Sequence, residues 1–415
     1  MAAEDVARAR AHRSELSRVT FVGITGSCGK TTTKDLATGL VAGVRTGTGS
    51  PGSENCGSAL VQNVLGVRPE HDFFIQELGA WGPGTLDAGL EILRPDVGVV
   101  LNVRRDHHSQ FHDLAHTQAE KAKVITWLPP TGTAILNADD PRVWAMRDRT
   151  RARVLGFGAH PCAELRVEEV RSRWPERLAF DLWAGGVRRR VQTQLLGAHL
   201  AGSAVAAIAI AHVLGMAIDD AIERIATLPP TLRRMSSVAT GSGITVIRDD
   251  FKAASDSLDE TLRFLEEARA ERKVAVIGRI SDHPGRSRAV YTTFAQAAAA
   301  VVDLLVFVGE RPESLWGGAR RASPDFLAEL SGGRARVELF PTVREASRFL
   351  RGELRGGDLV MLKGSGPSDH LERIFLEHQT VVQCWRASCG LVLACDACER
   401  LGVAAEPLDP LPRPS

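Results

Sequence analysis

Lysine and tyrosine are scarce in this chain of 415 residues: seven lysines stand beside 44 arginines, and a single tyrosine is found among 22 aromatic residues. The scarcity of lysine directs attention to the positions that keep it, which are 30, 34, 121, 123, 252, 273 and 363. Arginine stays charged in proteins and cannot supply a neutral primary amine. Some of these positions are therefore candidates for chemistry that arginine cannot perform.

An excess of charge of one sign is also lacking. The formal net charge is +1, and acidic and basic residues are interleaved, which argues against a nucleic-acid partner. No apolar segment of the secretory type follows the charged start at Glu4. The longest apolar stretch, 200–218, is interrupted by Ser203 and His212 and predicts a buried helix, so we expect no membrane partner. Seven cysteines without a leader favour reduced thiols and a cytoplasmic location.

Short apolar strands alternate with helical segments along most of the chain, which predicts an α/β protein with parallel sheets. We expect a P-loop NTPase-like central domain and a Rossmann-like C-terminal domain, followed by a short cysteine-rich tail. An Arg-rich alternating stretch at 150–195 predicts a small antiparallel flap within the first domain. The predicted boundaries are 1–18 for an N-terminal extension, 19–235, 236–382, and 383–415 for the tail.

The strongest local signal is a glycine-rich loop between a strand and a helix. Glycines 23, 26 and 29 precede Lys30-Thr31-Thr32-Thr33, a pattern that lets backbone N–H groups surround a phosphate at a helix N-terminus. Lys30 is placed to reach the β- and γ-phosphates, and Thr31 or Thr32 to bind Mg²⁺. The predicted nucleotide contacts in this loop are Gly26, Ser27, Gly29, Lys30, Thr31 and Thr32. A glycine-rich turn without nucleotide is the alternative.

Polar residues follow two further strands, where α/β sheets usually place their sites. Glu77 follows an apolar strand and is a candidate Mg²⁺ ligand, with an exposed loop glutamate as the alternative. His107, in the segment Asn102-Val-Arg-Arg-Asp-His, is a candidate ligand for a second cation. His108, His112 and His116 repeat at helical spacing, and we interpret them as a solvated face rather than a zinc site.

Taken together, these motifs resemble the Mur ligase superfamily, which includes muramyl peptide ligases and folylpolyglutamate synthetases. The resemblance covers residues 19 to 380, and the loop, RM and KGS motifs look most like the D-Ala-D-Ala-adding muramyl ligase. The matching segments, in family order, are GITGSCGKTTTKD (23–35), QELGA (76–80), NVRRDH (102–107), AEKA (119–122), ILNADD (135–140), GAH (197–199), RRM (233–235), DDFKAASDSL (249–258) and MLKGS (361–365).

The resemblance implies ATP-driven amide formation, in which a carboxylate attacks the γ-phosphate and an amine then displaces phosphate from the acyl phosphate. It implies that Thr31 and Glu77 hold one Mg²⁺ and His107 a second, with Lys121 as the lysine that family members carbamylate. Lys252 matches a phosphate-side lysine, and Lys363 matches a lysine near the incoming substrate. Further nucleotide contacts are expected from Asn137, Arg234, Asp250 and Phe251.

Several positions depart from the family pattern. Leu200 and Ser203 replace two asparagines, one of which contacts adenine in relatives, and the hinge motif reads Ala253-Ala254-Ser255. Gly278-Arg279-Ile280 stands where the nearest subfamily has Gly-Asp-Met. The residues expected to bind phosphate and metal are thus kept, whereas the residues expected to contact the adenine base and the amine acceptor differ. Since about 18 residues precede the first strand, we expect a carboxylate smaller than a UDP-muramyl peptide, or one presented by a partner.

The C-terminal segment carries Cys384, Cys389, Cys395 and Cys398 within 15 residues. Four thiols at this spacing in a reducing compartment predict a structural Zn²⁺ site, with ordinary reduced cysteines or a redox pair at Cys395 and Cys398 as alternatives.

The leading functional hypothesis is an ATP-dependent ligase that joins a carboxylate to an amine acceptor, in specialised amino-acid or natural-product metabolism. Its cofactors are expected to be ATP and two Mg²⁺ ions, with Zn²⁺ a further candidate. Two alternatives stay open: a ligase subunit that amidates with ammonia from a glutaminase partner, and a non-catalytic ATP-binding scaffold. Composition does not indicate the oligomeric state.

Overall fold

The computed structural model describes residues 3–105, 111, 113–281, 287–309, 332, 335–387, 389, 391 and 394–403, apart from the side chains of residues 287, 288 and 367. The chain divides into two compact units, Met1–Thr231 and Leu232–Ser415. Each unit contains its own sheet with helices packed on it.

The first unit contains nine strands and eight α-helices in the part that the structure describes. The strands are β1 (Thr20–Thr25), β2 (Gly47–Gly49), β3 (Phe73–Glu77), β4 (Val97–Val100), β5 (Thr133–Asn137), β6 (Arg153–Gly158), β7 (Leu165–Arg171), β8 (Ala179–Ala184) and β9 (Val187–Gln192). The helices are α1 (Ala3–Glu15), α2 (Lys30–Val41), α3 (Gly57–Leu65), α4 (Thr85–Leu93), α5 (Leu114–Thr126), α6 (Pro141–Trp144), α7 (Ala201–Val213) and α8 (Ile218–Ile225).

The nine strands form one sheet in the order β2-β3-β1-β4-β5-β6-β7-β8-β9. Strands β2 to β6 pair in parallel, and their apolar side chains are buried because helices cover the sheet. β1 lies between β3 and β4, so the chain leaves β1 toward one side and later returns to its other side. Such a reversal opens a crevice at the carboxyl ends of the central strands.

The Arg-rich stretch does form antiparallel structure, as its alternation predicts. β7 pairs with β8 and β8 with β9 in antiparallel register. These strands are not a separate flap, because β7 also pairs with β6 and extends the parallel sheet.

Helix α7 is the predicted buried helix, and it packs against α2, β5 and β6. Ten of its 13 residues, mostly alanine, are buried, which allows close approach to its neighbours. None of the described helices is both long and apolar enough to cross a membrane.

The second unit contains a six-stranded sheet in the order β10-β11-β15-β12-β13-β14. The strands are β10 (Ser236–Ala239), β11 (Thr245–Asp249), β12 (Arg272–Ile277), β13 (Leu304–Val308), β14 (Arg336–Phe340) and β15 (Asp358–Lys363). The described helices are α9 (Leu258–Glu267), α10 (Ser287–Ala299), α11 (Val343–Glu353), α12 (Gly366–Asp369) and α13 (Glu372–Leu376). All strands are parallel except the edge strand β10.

The C-terminal segment packs on this second sheet. Cys395, which begins a 3₁₀ turn (Cys395–Ala397), belongs to the same hydrophobic cluster as Ile374, Phe375 and strands of the sheet. Trp385 and Leu401 lie at the margin of that cluster. The segment is therefore part of the second unit's core.

Candidate functional site: a phosphate loop and its neighbours

The glycine-rich loop joins β1 to α2 and depends on two glycines. Gly26 and Gly29 have φ values of 157° and 83°, a region that residues with a Cβ rarely adopt. A Cβ on Gly29 would lie 2.8 Å from Ser203 Oγ, and one on Gly26 would lie 2.9 Å from Leu101 Cβ. Gly29 caps α2, so the first N–H groups of that helix point into the loop. This arrangement suits a bound phosphate.

Lys30 folds over the loop that precedes it. Its Nζ atom donates a hydrogen bond to Gly26 O at 2.7 Å, which places the ammonium group at the mouth of the loop. Lys34, one turn further along α2, has a different role because it is only 3% exposed. Its Nζ donates to Asp35 Oδ1 and to Ser50 O, both at 2.7 Å, so this lysine fastens the helix to the neighbouring segment.

Asn102, which follows β4, fixes the shape of the phosphate loop. Its Oδ1 atom accepts hydrogen bonds from the backbone N–H groups of Ser27 at 2.9 Å and Cys28 at 3.0 Å. Its Nδ2 atom donates to Cys28 O at 3.2 Å. Asn102 belongs to a segment that matches the family motif, but the sequence did not indicate a role for it. The available signal was its position, two residues past the end of a strand that neighbours β1.

Replacing Asn102 by alanine is expected to weaken ATP binding. The change removes three hydrogen bonds that hold the loop, each worth about 1 kcal/mol, so the KM for ATP should rise about tenfold or more. We expect a smaller change in kcat. Steady-state ADP release measures both, with Asn63→Ala as the control, because Asn63 makes only one long bond of 3.4 Å to Gln76 among the described residues. An unchanged KM for ATP would contradict this role.

Glu77 ends β3 beside the first turn of α2. It is 2% exposed, and its Oε2 atom accepts a hydrogen bond from Thr31 Oγ1 at 2.8 Å. Its Oε1 atom accepts from Asn55 Nδ2 at 2.9 Å. A buried carboxylate bonded to a hydroxyl next to Lys30 provides the oxygen donors that Mg²⁺ prefers, so these residues fit that ion. Thr32, also predicted here, is 4% exposed and lies on the same turn.

Helix α5 places Lys121 in the interior of the first unit. This lysine is 1% exposed and lies on a helix that contacts β4 and β1. The adjacent Glu120 accepts hydrogen bonds from the N–H groups of Gly84 at 2.9 Å and Leu86 at 2.8 Å, and so caps the start of α4. Lys123, for which the sequence indicated no role, donates to Asp87 Oδ2 at 2.7 Å and lies 2.9 Å from Glu120.

His107 and Asn137 are two further predicted site residues of this unit. His107, the candidate for a second cation, lies outside the described residues, as do His108 and His112. Asn137 uses its side chain within the protein: Nδ2 donates to Leu101 O at 2.8 Å, and Oδ1 accepts from the N–H of Asp139 at 2.9 Å. Its nucleotide role remains a prediction, and these two contacts hold the segments that follow β4 and β5.

In the second unit, Arg234 and Phe251 contact each other. The Arg234 guanidinium carbon lies 4.2 Å from the centre of the Phe251 ring, a cation–π distance. Asp250 is 1% exposed and forms an ion pair with Arg248 at 3.4 Å and with Arg233 at 3.5 Å. Burial raises the pKa of Asp250 to about 6. Its carboxylate therefore lies within a buried ion-pair network of this unit.

The two remaining predicted lysines lie near the carboxyl ends of β11 and β15. Lys363 is 2% exposed, and its Nζ atom donates to Asp249 Oδ2 at 2.5 Å. The two residues face each other in the parallel register of these strands. Lys252 is half-buried, three residues beyond Asp249.

The four cysteines of the C-terminal segment do not share one cluster of donor atoms in the described part of the chain. Instead, Cys395 lies with His370 and Glu372, and their donor atoms all fall within 4.8 Å of one another. Cys384 is buried with its backbone N–H bonded to Leu401 O, and Cys398 ends the 3₁₀ turn. The candidate metal ligands thus include a histidine and a glutamate that the cysteine spacing could not indicate.

A sheet with parallel central strands, a glycine-rich loop, a Gly-Lys-Thr turn and a buried strand-end glutamate defines a P-loop type of nucleotide-binding unit, here followed by a Rossmann-like unit. Residues 24–211 match the Mur ligase middle domain, and residues 233–366 match the Mur ligase glutamate ligase domain. The chain belongs to the Mur ligase family. This finding confirms the resemblance and the fold class inferred from the motifs.

Individual relatives agree with this assignment. The UDP-N-acetylmuramoyl-tripeptide–D-alanyl-D-alanine ligase of Mycobacterium tuberculosis is 31% identical over 365 residues, which cover 84% of this chain and 70% of that enzyme. The UDP-N-acetylmuramate–L-alanine ligase of Salinibacter ruber is 28% identical over 370 residues, covering 88% and 74%. Among solved structures, MurF from Acinetobacter baumannii superimposes with a TM-score of 0.79 at 20% identity, covering 91% of this chain and 80% of that one.

A further solved structure with the same fold is MurF of Thermotoga maritima in complex with ADP, with a TM-score of 0.74, 20% identity and coverage of 90% and 81%. Mur ligases are ATP-dependent enzymes that form C–N bonds. The chain is accordingly an ATP-dependent amide-bond ligase of this family.

Proposed function

We propose that the chain joins a carboxylate to an amine through an acyl phosphate, with the phosphate loop of the first unit holding ATP. The observation that carries this proposal is the joint placement of Lys30 over the loop and of the Thr31–Glu77 pair beside it. Phosphoryl transfer requires positioning and positive charge rather than a protein nucleophile, and these residues supply both.

The reaction that we propose is balanced in two steps. A carboxylate oxygen of the donor attacks the γ-phosphorus, which forms an acyl phosphate and releases ADP. The amine nitrogen then attacks the acyl carbon, the C–O bond to phosphate breaks, and a proton leaves the nitrogen. Lys30 neutralises charge on the transferred phosphoryl group in the first step. Thr31 and Glu77 would hold Mg²⁺, which supplies further positive charge to the phosphate oxygens.

We further propose that Lys121 is carbamylated by CO₂. Its burial supports the proposal, because it places a primary amine inside the unit, and a primary amine can react with CO₂, whereas arginine at this position could not. The carbamate would provide an anionic metal ligand. We also propose that four further residues have the roles that the family pattern implies, which mutagenesis can test: His107, Lys252, Lys363 and Arg234.

The acceptor is proposed to differ from D-alanyl-D-alanine, which the Mycobacterium tuberculosis relative adds according to its name. The hinge segment Ala253-Ala254-Ser255 and the segment Gly278-Arg279-Ile280 depart from that subfamily where acceptor groups are expected. Pathways that use modified amino acids or specialised products are candidates for such an acceptor.

The test is ADP release measured against a matrix of carboxylates and amines, with bicarbonate present and with a UDP-muramyl tripeptide and D-alanyl-D-alanine among the compounds. We expect ADP only when an acid and an amine are both supplied. Donor labelled with ¹⁸O in its carboxylate should transfer one label to phosphate. Turnover with ammonium as the sole amine would favour the amidating subunit, and ATP binding without turnover would favour the scaffold.

A further inference from the structure

A buried group of nitrogen, oxygen and sulfur donors lies where the C-terminal segment meets the second unit. His370 links the short helices α12 and α13, Glu372 begins α13, and Cys395 begins the 3₁₀ turn. These residues are 1%, 0% and 4% exposed. Cys395 Sγ is 3.5 Å from His370 Nδ1, and Cys389 Sγ is 3.7 Å from Nε2 of the same ring.

One oxygen of the Glu372 carboxylate is held within this group by a hydrogen bond. Oε1 accepts a hydrogen bond from the backbone N–H of Cys395 at 3.1 Å. Oε2 is buried and accepts no hydrogen bond from the described residues, with the Arg233 guanidinium no closer than 3.8 Å. A buried carboxylate oxygen without a hydrogen bond is costly, and a metal ion would satisfy it.

Charged contacts from the core fix the cysteine in place. Arg373 Nε donates to Cys395 Sγ at 3.2 Å, and Arg373 Nη1 donates to Arg386 O at 2.7 Å. Asp396 is bound by both terminal nitrogens of Arg248, at 2.5 and 3.0 Å. Ligands of structural metals are commonly oriented by such outer contacts, and an N–H donor to sulfur stabilises a thiolate.

We propose that this group binds one Zn²⁺ ion through His370 Nδ1, Glu372 and Cys395. One sulfur, one imidazole and one carboxylate form a set that suits zinc and is too soft for Mg²⁺. Binding converts the Cys395 thiol to a thiolate and releases one proton to solvent. The Cys395 thiolate and the Glu372 carboxylate then balance the two positive charges of the ion.

The proposed ion has a structural role that follows from its position. It would link the segment after α13 to His370 and Glu372, and so fix that segment against the core of the second unit. This role is separate from the phosphate loop and from the proposed ligase reaction, so the two proposals can fail independently.

The experiment measures bound metal in the full-length chain without a histidine tag, by elemental analysis after dialysis. We expect about one zinc per chain in the wild type, and at least about a tenfold loss in Cys395→Ser and in His370→Ala. Cys162→Ser, at an exposed thiol of the first unit, is the matched control and should keep its zinc. Cys398→Ser should also keep its zinc, which separates this ligand set from a four-cysteine site.

Cobalt substitution makes the test independent of variant folding. Wild-type protein in which Co²⁺ replaces zinc should show thiolate-to-cobalt charge-transfer bands and the visible bands of a tetrahedral site. Wild-type protein that holds neither metal would overturn the proposal. So would loss of zinc in Cys398→Ser together with full retention in His370→Ala, since that result assigns the metal to the cysteines alone.

Discussion

Substitution of Lys121 by arginine is expected to reduce kcat for ADP release by at least about a hundredfold. Arginine keeps the positive charge but cannot form a carbamate, because that adduct requires a primary amine that can lose its proton. If Lys121 contributes only its positive charge, the arginine variant should therefore stay active. If Lys121 forms a carbamate, the variant should lose activity. The burial of Lys121, at 1% exposure, means that circular dichroism and thermal unfolding must accompany the kinetics.

Lys123→Arg is the matched control for this prediction. It lies two residues further along the same helix and is partly exposed in ion pairs with Asp87 and Glu120. Arginine keeps the positive charge that pairs with Asp87 and Glu120, so this variant should retain most of its activity.

A carboxylate supplied from solution should replace the carbamate in a smaller variant. Lys121→Ala leaves space at this position, and we expect formate or acetate to restore part of its activity while having no such effect on the wild type. Removal of CO₂ should lower wild-type activity reversibly. Activity of Lys121→Arg equal to that of the wild type, with no dependence on CO₂, would refute carbamylation.

The phosphate loop could be predicted from the sequence because its determinants are local. Gly26, Gly29 and Lys30 lie within one turn of chain between a strand and a helix, and the backbone conformation that such residues adopt is largely set by their neighbours. Most of the parallel strands were predictable for a similar reason, since buried strands are continuous apolar runs. The edge strands β2 and β10 could not be predicted in this way, because Gly47–Gly49 and Ser236–Ala239 contain no such run.

The contacts that assemble the sites come from distant parts of the chain, which periodicity cannot indicate. Asn102 reaches the loop from 74 residues away, and Glu120 caps α4 from 34 residues away in sequence. The same limitation affected the C-terminal segment. Cysteine spacing pointed to four thiols, but the chain reversal after α13 brings Cys395 to His370 and Glu372 instead.

Substitution of Glu77 by glutamine is expected to lower kcat by about a hundredfold and to raise the Mg²⁺ concentration needed for half-maximal activity by at least about tenfold. The change preserves side-chain size and removes the negative charge. The introduced amide is not expected to disturb the fold, because its oxygen can accept the bond from Asn55 while its nitrogen donates to the Thr31 hydroxyl, which can rotate.

The control is Glu91→Gln, at an exposed ion pair with Arg10 on the surface of the same unit. Both variants lose one negative charge, but only Glu77 lies next to Thr31, so a general effect of net charge would alter the two equally. Initial rates of ADP release across a Mg²⁺ titration, with ATP and both substrates saturating, give the two parameters. If Glu77→Gln shows the Mg²⁺ dependence of the wild type, Glu77 is not a metal ligand, and its bond to Thr31 serves only to hold the first turn of α2 against β3.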